Sequence, residues 1–563
     1  MITSGVIHAE EVAAQDVAHE AAKRSAIPSG GRLDGWLLNH LNFVAIAFVV
    51  AGFALRCFAA TRTYLNPDEA LHYLILNQSS LFLAYKASLG NAHPPLIYLV
   101  LYFWRFLGRS EWMLRLPSVI AGTAFCWISF KWIGNVFGKA AGLIGLILCA
   151  FSPAMVALFA ELRAYALLLF CISGALYFLD RAFAEKSVRQ MWRFTLFLYL
   201  SILSHYSAVF FATALGVYAL ARIADSHLPR KAVIAWASGQ AGALAIYGFL
   251  YVTHISKIKT YIGLWAMPYD SSYFHPDAVN LFTFTWKKTF NIFQFLFAQE
   301  IAAYAALTFF VAGVAFLFGK DLLTRRENIH SSRMGILLLF PFIAVWGASI
   351  AGIYPYTGSR HTVFLAPFVI AGASYLLAAV SGQRLWAGLA LAILLMALSS
   401  VAGLNVDIDA SSGNNSPAAM ASAVSYMKES IPRSDLIFVD SQSGLEIPYY
   451  FCGPREIVPM EVPVGDYSKY ACNGYSIIAL HIWKLIPENF QAQFQKMARS
   501  HSLKPGDRVW VYQTGWGLDL GTELAGHDVA YRCLAPRKFG GAVTVTPFVV
   551  GLDFSPESPI GAC

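Results

Sequence analysis

The run Asn66-Pro67-Asp68-Glu69-Ala70-Leu71-His72-Tyr73 sets two adjacent carboxylates and an imidazole just beyond the first apolar segment of the chain. A charged side chain at a bilayer centre costs about 2.5 to 3.5 kcal/mol, so the acids are expected to face water or a substrate. There Asp68 and Glu69 could serve as a general base and its partner, or as ligands to a divalent cation. Their other reading is a helix start, where acids suit the dipole. Twenty residues on, His93-Pro94-Pro95 could present an imidazole to a phosphate, or could simply be a rigid helix start. Arg163 and Tyr165, beside Glu161, have the chemistry of a bidentate phosphate clamp; the alternatives are an interfacial anchor or an internal Glu-Arg pair. Arg360 and His361 close the polar turn Tyr354-Pro355-Tyr356-Thr357-Gly358-Ser359-Arg360-His361, which could hold an anion or merely snorkel. His72, His205, Tyr206 and Tyr356 complete the candidates, as pocket or acceptor-side residues; for His205 a satisfied core histidine is the alternative.

The elements that must position these groups are mostly membrane helices. The 563 residues are 57% hydrophobic and 13% charged, too apolar for an ordinary soluble protein. Residues 405 to 563 carry 12 Lys and Arg against 16 Asp and Glu, which leaves 29 against 17 before them. The basic excess therefore belongs to the membrane part, where it orients helices and attracts anionic headgroups. With no basic stripe carrying interleaved aromatics outside the apolar segments, nucleic-acid binding is not expected.

Residues 1 to 41 read as a cytoplasmic tail, with Lys23, Arg24 and Arg32 before the first span at 42 to 60. The run 94 to 107 is too short to span and is expected at the interface. Helices at 117 to 137 and 140 to 159 then place Glu161 to Tyr165 outside, and Arg181 to Arg193, Arg222 to Lys231, Lys320 to Arg333 and Arg384 fall inside. Lys257, Lys259, Lys287 and Lys288 run against that pattern, unless the loop at 253 to 290 binds a phosphate. The count is about eleven spans, with 191 to 223 holding two short or broken helices.

After residue 404 a Gly/Asn/Ser/Pro linker at 411 to 417 precedes a helix over 418 to 429 and strands at 436 to 440, 476 to 480 and 508 to 512. Residues 405 to 563 thus read as a small extracytoplasmic α/β domain. Cys452, Cys472, Cys533 and Cys563 could pair there in any of three ways, and none has zinc-site spacing.

Taken in order, the Asp-Glu pair, His-Pro-Pro-Leu, Arg115-Leu116-Pro117-Ser118 as a turn, the Glu161 to Leu167 stretch, and Arg360-His361 before Pro367 resemble the GT-C glycosyltransferases. They are most similar to the bacterial protein-mannosyltransferase and aminoarabinose-transferase type, including galacturonosyltransferase-like members, over about residues 42 to 380. The resemblance implies a GT-C module with its catalytic first outer loop at 61 to 93, in the cytoplasmic membrane. It implies inverting transfer from a polyprenyl-phosphate sugar to a glycan, lipid or protein acceptor on the outer face. The competing classes are a lipid or saccharide flippase, which predicts inverted repeats, and a receptor or assembly subunit, which leaves Asp68 and Glu69 without a role.

Overall fold

In the computed structural model the described residues are 31–226, 228–256, 271–323, 329–382, 384–400, 417–457, 467–480, 501, 503–504, 506–516, 519–520, 531–540 and 542–550. The tail up to residue 30, Lys257 and Lys259, the linker up to residue 416, and Cys563 lie outside them.

Among the described residues seven helices are long and apolar enough to cross a bilayer: Leu41–Arg62, Glu111–Phe137, Tyr165–Ala184, Arg230–Ile255, Glu300–Gly319, Ser331–Ile350 and Arg360–Ser381. Lys139–Phe151 and Pro153–Phe159, bent by 59°, make an eighth if they form one broken span, and Ala208–Ala224 and Leu385–Ser400 are apolar but shorter. Region 191 to 223 does hold two short helices, Val188–Ser204 and Ala208–Asp225, parted at His205. The run 94 to 107 folds as Leu96–Trp104, nine residues and so about 14 Å long, which is too short to span.

At two prolines a donor from elsewhere meets the carbonyl that the ring leaves without an N–H. Pro117 was expected in a turn but lies inside Glu111–Phe137. It lacks the N–H that Met113 O would accept, and the Trp104 indole supplies one at 2.7 Å; this helix continues. Pro153 likewise withholds an N–H from Cys149 O, and there the helix breaks. Arg56, fully buried in the first span, donates Nη2 to Cys149 O at 3.1 Å and Ala150 O at 3.2 Å. A cation at a helix C-terminus inside the membrane thus satisfies carbonyls that water cannot reach.

Residues Ala141 to Ala150 are buried on every side, so this broken helix is the centre of the bundle. Gly138, at φ +95, turns the chain into it, and a Cβ on Gly142 would meet Gly134 Cα at 2.9 Å; only glycines let the two helices meet so closely.

The C-terminal domain holds a seven-stranded sheet: β1 Leu436–Val439, β2 Tyr467–Cys472, β3 Tyr475–Leu480, β4 Arg508–Gln513, β5 Tyr531–Cys533, β6 Arg537–Phe539 and β7 Val543–Val550. Their order is β2-β3-β1-β4-β7-β5, with β6 on β7. β1 runs parallel to β3 and β4, and the outer pairs are antiparallel. The three strands expected from the sequence are the parallel centre, because strands covered on both faces are continuous apolar runs. The helix Pro417–Ser430 packs on this sheet, and Cys452 is bonded to Cys472.

The domain closes over the first loop. Tyr450 accepts from Leu65 N at 2.6 Å and donates to Glu111, Tyr449 donates to Arg109 O at 3.0 Å, Tyr73 donates to Pro454 O, and Asn77 donates to Glu456 O at 2.8 Å.

Candidate active site at the first loop

Helix Pro67–Leu76 begins with a full capping box. Asn66 Oδ1 accepts Glu69 N at 3.0 Å and Glu69 Oε2 accepts Asn66 N at 3.2 Å, with proline at the first helical position. The helix-start reading of this motif therefore holds, and both acids do more besides.

Glu69 is 1% exposed. Arg115 grips it bidentately, Nε to Oε1 at 2.8 Å and Nη2 to Oε2 at 2.6 Å, and Leu162 N donates to Oε1 at 2.7 Å. Arg115 also donates to Ala60 O, Thr63 O and Tyr64 O at 2.7 to 2.8 Å, satisfying carbonyls at the end of the first span. The pair ties together the first span, the loop helix and the Glu161–Ala164 turn. Sequence reasoning assigned Arg115 no role at the site; the available signal was a cation at the start of an apolar helix, which burial obliges to find an acid.

Asp68, one residue earlier and so on another side of the helix, has a side chain 38% exposed. Arg163 Nη1 and Arg360 Nη2 both approach its Oδ2 at 2.8 Å. Burial would raise this carboxyl, but the two guanidiniums outweigh it and hold Asp68 well below the usual carboxylate range. Residues about 95 and 292 positions downstream thus meet on one oxygen.

An aromatic wall stands beside them. His72 Nδ1 donates to Asp68 O at 2.8 Å, and Tyr98, which the sequence did not single out, reaches its Nε2 at 3.4 Å. His93 lies between His72 and His205, with ring centroids 5.4 and 5.1 Å away, and Tyr165 lies 5.4 Å from His205. His205 Nδ1 accepts from Ser207 N at 3.1 Å, which puts its proton on Nε2. Burial, reinforced by the Arg163 charge, pushes His72 and His205 down to about 3. Burial and its imidazole neighbours push His93 well down too. The three imidazoles are neutral at physiological pH and can hydrogen-bond without neutralising a phosphate. His93 Nδ1, Arg163 Nε and the Tyr165 and Tyr206 hydroxyls are buried with no partner, so polar groups stand ready around the cluster.

His361 follows Arg360 in a short 3-10 helix, Arg360–Leu365, and its carbonyl accepts the Tyr354 hydroxyl at 3.0 Å. Tyr356 is not brought to the cluster; its hydroxyl bonds Thr289 Oγ1 at 2.8 Å and its N–H bonds Ser272 O. Among the described residues no three His, Cys, Asp or Glu side chains are arranged to hold a metal ion. With Glu69 given to Arg115 and Asp68 to two more arginines, this donor set does not fit a divalent cation.

Residues 92–251 match the family described as dolichyl-phosphate-mannose-protein mannosyltransferase, and no curated sequence matches the chain. The structure of ArnT from Cupriavidus metallidurans in the apo state is similar at a TM-score of 0.53 and 14% identity, over 91% of this chain and 98% of that one. ArnT bound to undecaprenyl phosphate gives 0.50 and 14%, over 89% and 97%. The Archaeoglobus fulgidus oligosaccharyltransferase tethered to an acceptor peptide gives 0.45 and 14%, over 74% of this chain, which spans 64% of that protein's length. The fold of this chain, membrane helices with an appended sheet domain, is the GT-C fold of ArnT.

Proposed function

We propose that the chain is an inverting membrane glycosyltransferase. It moves a sugar from a polyprenyl-phosphate donor to an envelope glycan, lipid or protein acceptor on the outer face of the cytoplasmic membrane. Residues 42–404 are its GT-C module, 1–41 a cytoplasmic tail and 405–563 an extracytoplasmic domain. The observation that carries this reading is one carboxylate, partly open to solvent, held between two arginines that come from distant parts of the chain.

In this reading Asp68 takes the proton of the acceptor hydroxyl as its oxygen bonds to the anomeric carbon, while the carbon–oxygen bond to the phosphate breaks. Arg163 and Arg360 take the charge that develops on the departing phosphate. Without donor the same guanidiniums rest on Asp68 and weaken it as a base; a phosphate drawing them away restores its basicity. Glu69 is a positioning residue, because it holds Leu162 N and thereby the turn that presents Arg163. The neutral imidazoles and tyrosines line the place for the sugar.

The reading is tested with the full chain in proteoliposomes, supplied with defined undecaprenyl-phosphate sugars and an envelope extract. Release of undecaprenyl phosphate coupled to a glycosylated product is expected for one donor, and no turnover of any of them would remove the reading. Arg163→Lys and Arg360→Lys keep the charge but lose the planar fork, and each is expected to raise the donor KM or depress kcat by about tenfold or more. Wild-type kinetics in both would leave these residues as anchors.

The pH profile gives a second check. The Asp68 carboxyl is depressed in the folded, donor-free protein, so it stays charged as pH falls below the usual value of about 3.9. Its ion pairs are lost only as pH falls further, through that depressed value. Because kcat/KM reports the free enzyme, its acid limb should lie low, with no break near the imidazole value of about 6.5. In the donor complex the arginines are shared with phosphate, so the acid limb of kcat should lie at higher pH than that of kcat/KM. Coincident limbs would show that the donor does not relieve Asp68.

A further inference from the structure

The C-terminal domain contributes a buried acid that the transfer does not use. Glu446 is fully buried on the short helix Ser443–Ile447, which follows β1 and packs against Pro67–Leu76, the helix that carries Asp68. Neither of its carboxyl oxygens has a hydrogen-bond partner. The polar network beside it shows why. Asp440 accepts from Gln442 N at 2.8 Å and Ser443 N at 3.0 Å, and Ser443 Oγ donates to its Oδ2 at 2.6 Å. With the Ser443 proton spent on Asp440, the proton between Ser443 Oγ and Thr514 Oγ1, 3.0 Å apart, is that of Thr514, and none is left for Glu446. Burial pushes the Glu446 carboxyl well above the usual carboxylate range; the Thr514 hydroxyl offsets only a part, and Asp440 adds to the rise.

The titratable groups on the surrounding elements are engaged elsewhere. On the loop helix, arginines hold Asp68 and Glu69, His72 bonds Asp68 O, and Tyr73 donates to Pro454 O. Just beyond Glu446, Tyr449 and Tyr450 donate to Arg109 O and Glu111. Tyr470 of β2 donates to Gly444 O, Tyr475 of β3 to Lys428 O and Tyr512 of β4 to Met420 Sδ, while the Tyr64 hydroxyl accepts from Trp516. No cation is among the groups that act on Glu446. A charge there would be buried with neither counter-ion nor donor, which is costly. The smallest movement that brings it to water is that of its own five-residue helix, and Tyr449 and Tyr450, which hold the domain to the first loop, follow directly.

We propose that Glu446 is a proton-operated latch: protonated, it lets the sheet domain seat on the helix bearing Asp68, and ionised, it lifts segment 443–456 from the first loop. Its effect on turnover rests on the transferase reading above; the docking does not. An acid raised in the docked state keeps its proton there after an opened state has lost it. Docking is therefore strongest below the ordinary glutamate value of about 4.3 and weakens as pH rises above it. One proton weakens it by at most about tenfold per pH unit, until Glu446 ionises in the docked state too.

Hydrogen exchange of the full chain in neutral detergent, corrected for the intrinsic rate at each pH, gives the opening constant of peptides covering 443–456 and 64–77. In the wild type it should rise by about tenfold or more between pH 6 and 8. In Glu446→Gln, which keeps the shape and cannot ionise, it should stay level, and Glu446→Met serves the same purpose if the amide disturbs the fold. A level opening constant in the wild type, or an equal rise in both variants, overturns the latch. Turnover of the wild type should fall on the alkaline side, and Glu446→Gln should keep its turnover to higher pH. Because exchange does not depend on chemistry, a chain that loosens with pH but transfers no sugar refutes the transferase reading alone, whereas an active chain that stays docked at every pH refutes the latch.

Discussion

Asp68→Asn is expected to lower turnover by about 10² to 10⁴-fold, the usual contribution of a general base, while the protein still inserts and retains donor. The substitution is nearly isosteric and keeps the capping geometry, since the cap contacts of this helix run between Asn66 and Glu69. The amide cannot accept the acceptor's proton at neutral pH, and it no longer pairs electrostatically with Arg163 and Arg360. Freed of that competitor, the two arginines should bind donor at least as tightly as before, so kcat should fall without a rise in donor KM. Single-turnover measurements on labelled donor separate the two quantities. If Asp68→Asn turns over normally and Glu69→Gln does not, the roles of the two acids are exchanged. Normal turnover in both removes the carboxylate mechanism.

Arg115→Met is expected to destabilise the protein by about 3 to 5 kcal/mol, because it leaves the Glu69 carboxylate buried without its counter-charge. It also orphans the carbonyls of Ala60, Thr63 and Tyr64, which accept from the same guanidinium. Glu69→Gln should cost less, since Arg115 keeps those three acceptors. Thermal denaturation of the purified variants checks the order. A milder effect for Arg115→Met than for Glu69→Gln would mean that this guanidinium is not the knot holding the loop to the first span.

The helices were legible as apolar runs, and the Asp-Glu motif stood out because charge is expensive beside a bilayer. Which acid faces solvent was not legible. Neighbours on a helix point in different directions, and the assignment depended on Arg115 and Leu162, 46 and 93 residues away. The same limit applies to the turn 354 to 361, where Arg360 reaches Asp68 while Tyr356, four residues earlier, turns to Thr289. The two prolines make the point for backbone. Pro117 and Pro153 look alike in sequence, yet one helix runs on and the other bends by 59°. Both freed carbonyls find a donor, an indole nine residues from Met113 and a guanidinium 93 residues from Cys149, and the proline alone announces neither. In the C-terminal domain the buried parallel strands were readable, whereas β2, with its Lys and Ser, lacks a continuous apolar run.

The contacts that Tyr449, Tyr450, Pro454 and Glu456 make with Leu65, Tyr73, Asn77, Arg109 and Glu111 bear on how such proteins can be recombined. A tethered module can be exchanged at its linker, but here the linker is not the seam. The segment Pro448–Glu456 is shaped to one particular first loop, so a chimaera made by swapping everything after residue 405 would pair a foreign roof with a native floor and disturb the helix bearing Asp68. The interchangeable part is the loop together with its roof. A truncation that removes the domain is for the same reason an experiment on the membrane site, and its loss of activity would say nothing about what the domain itself binds.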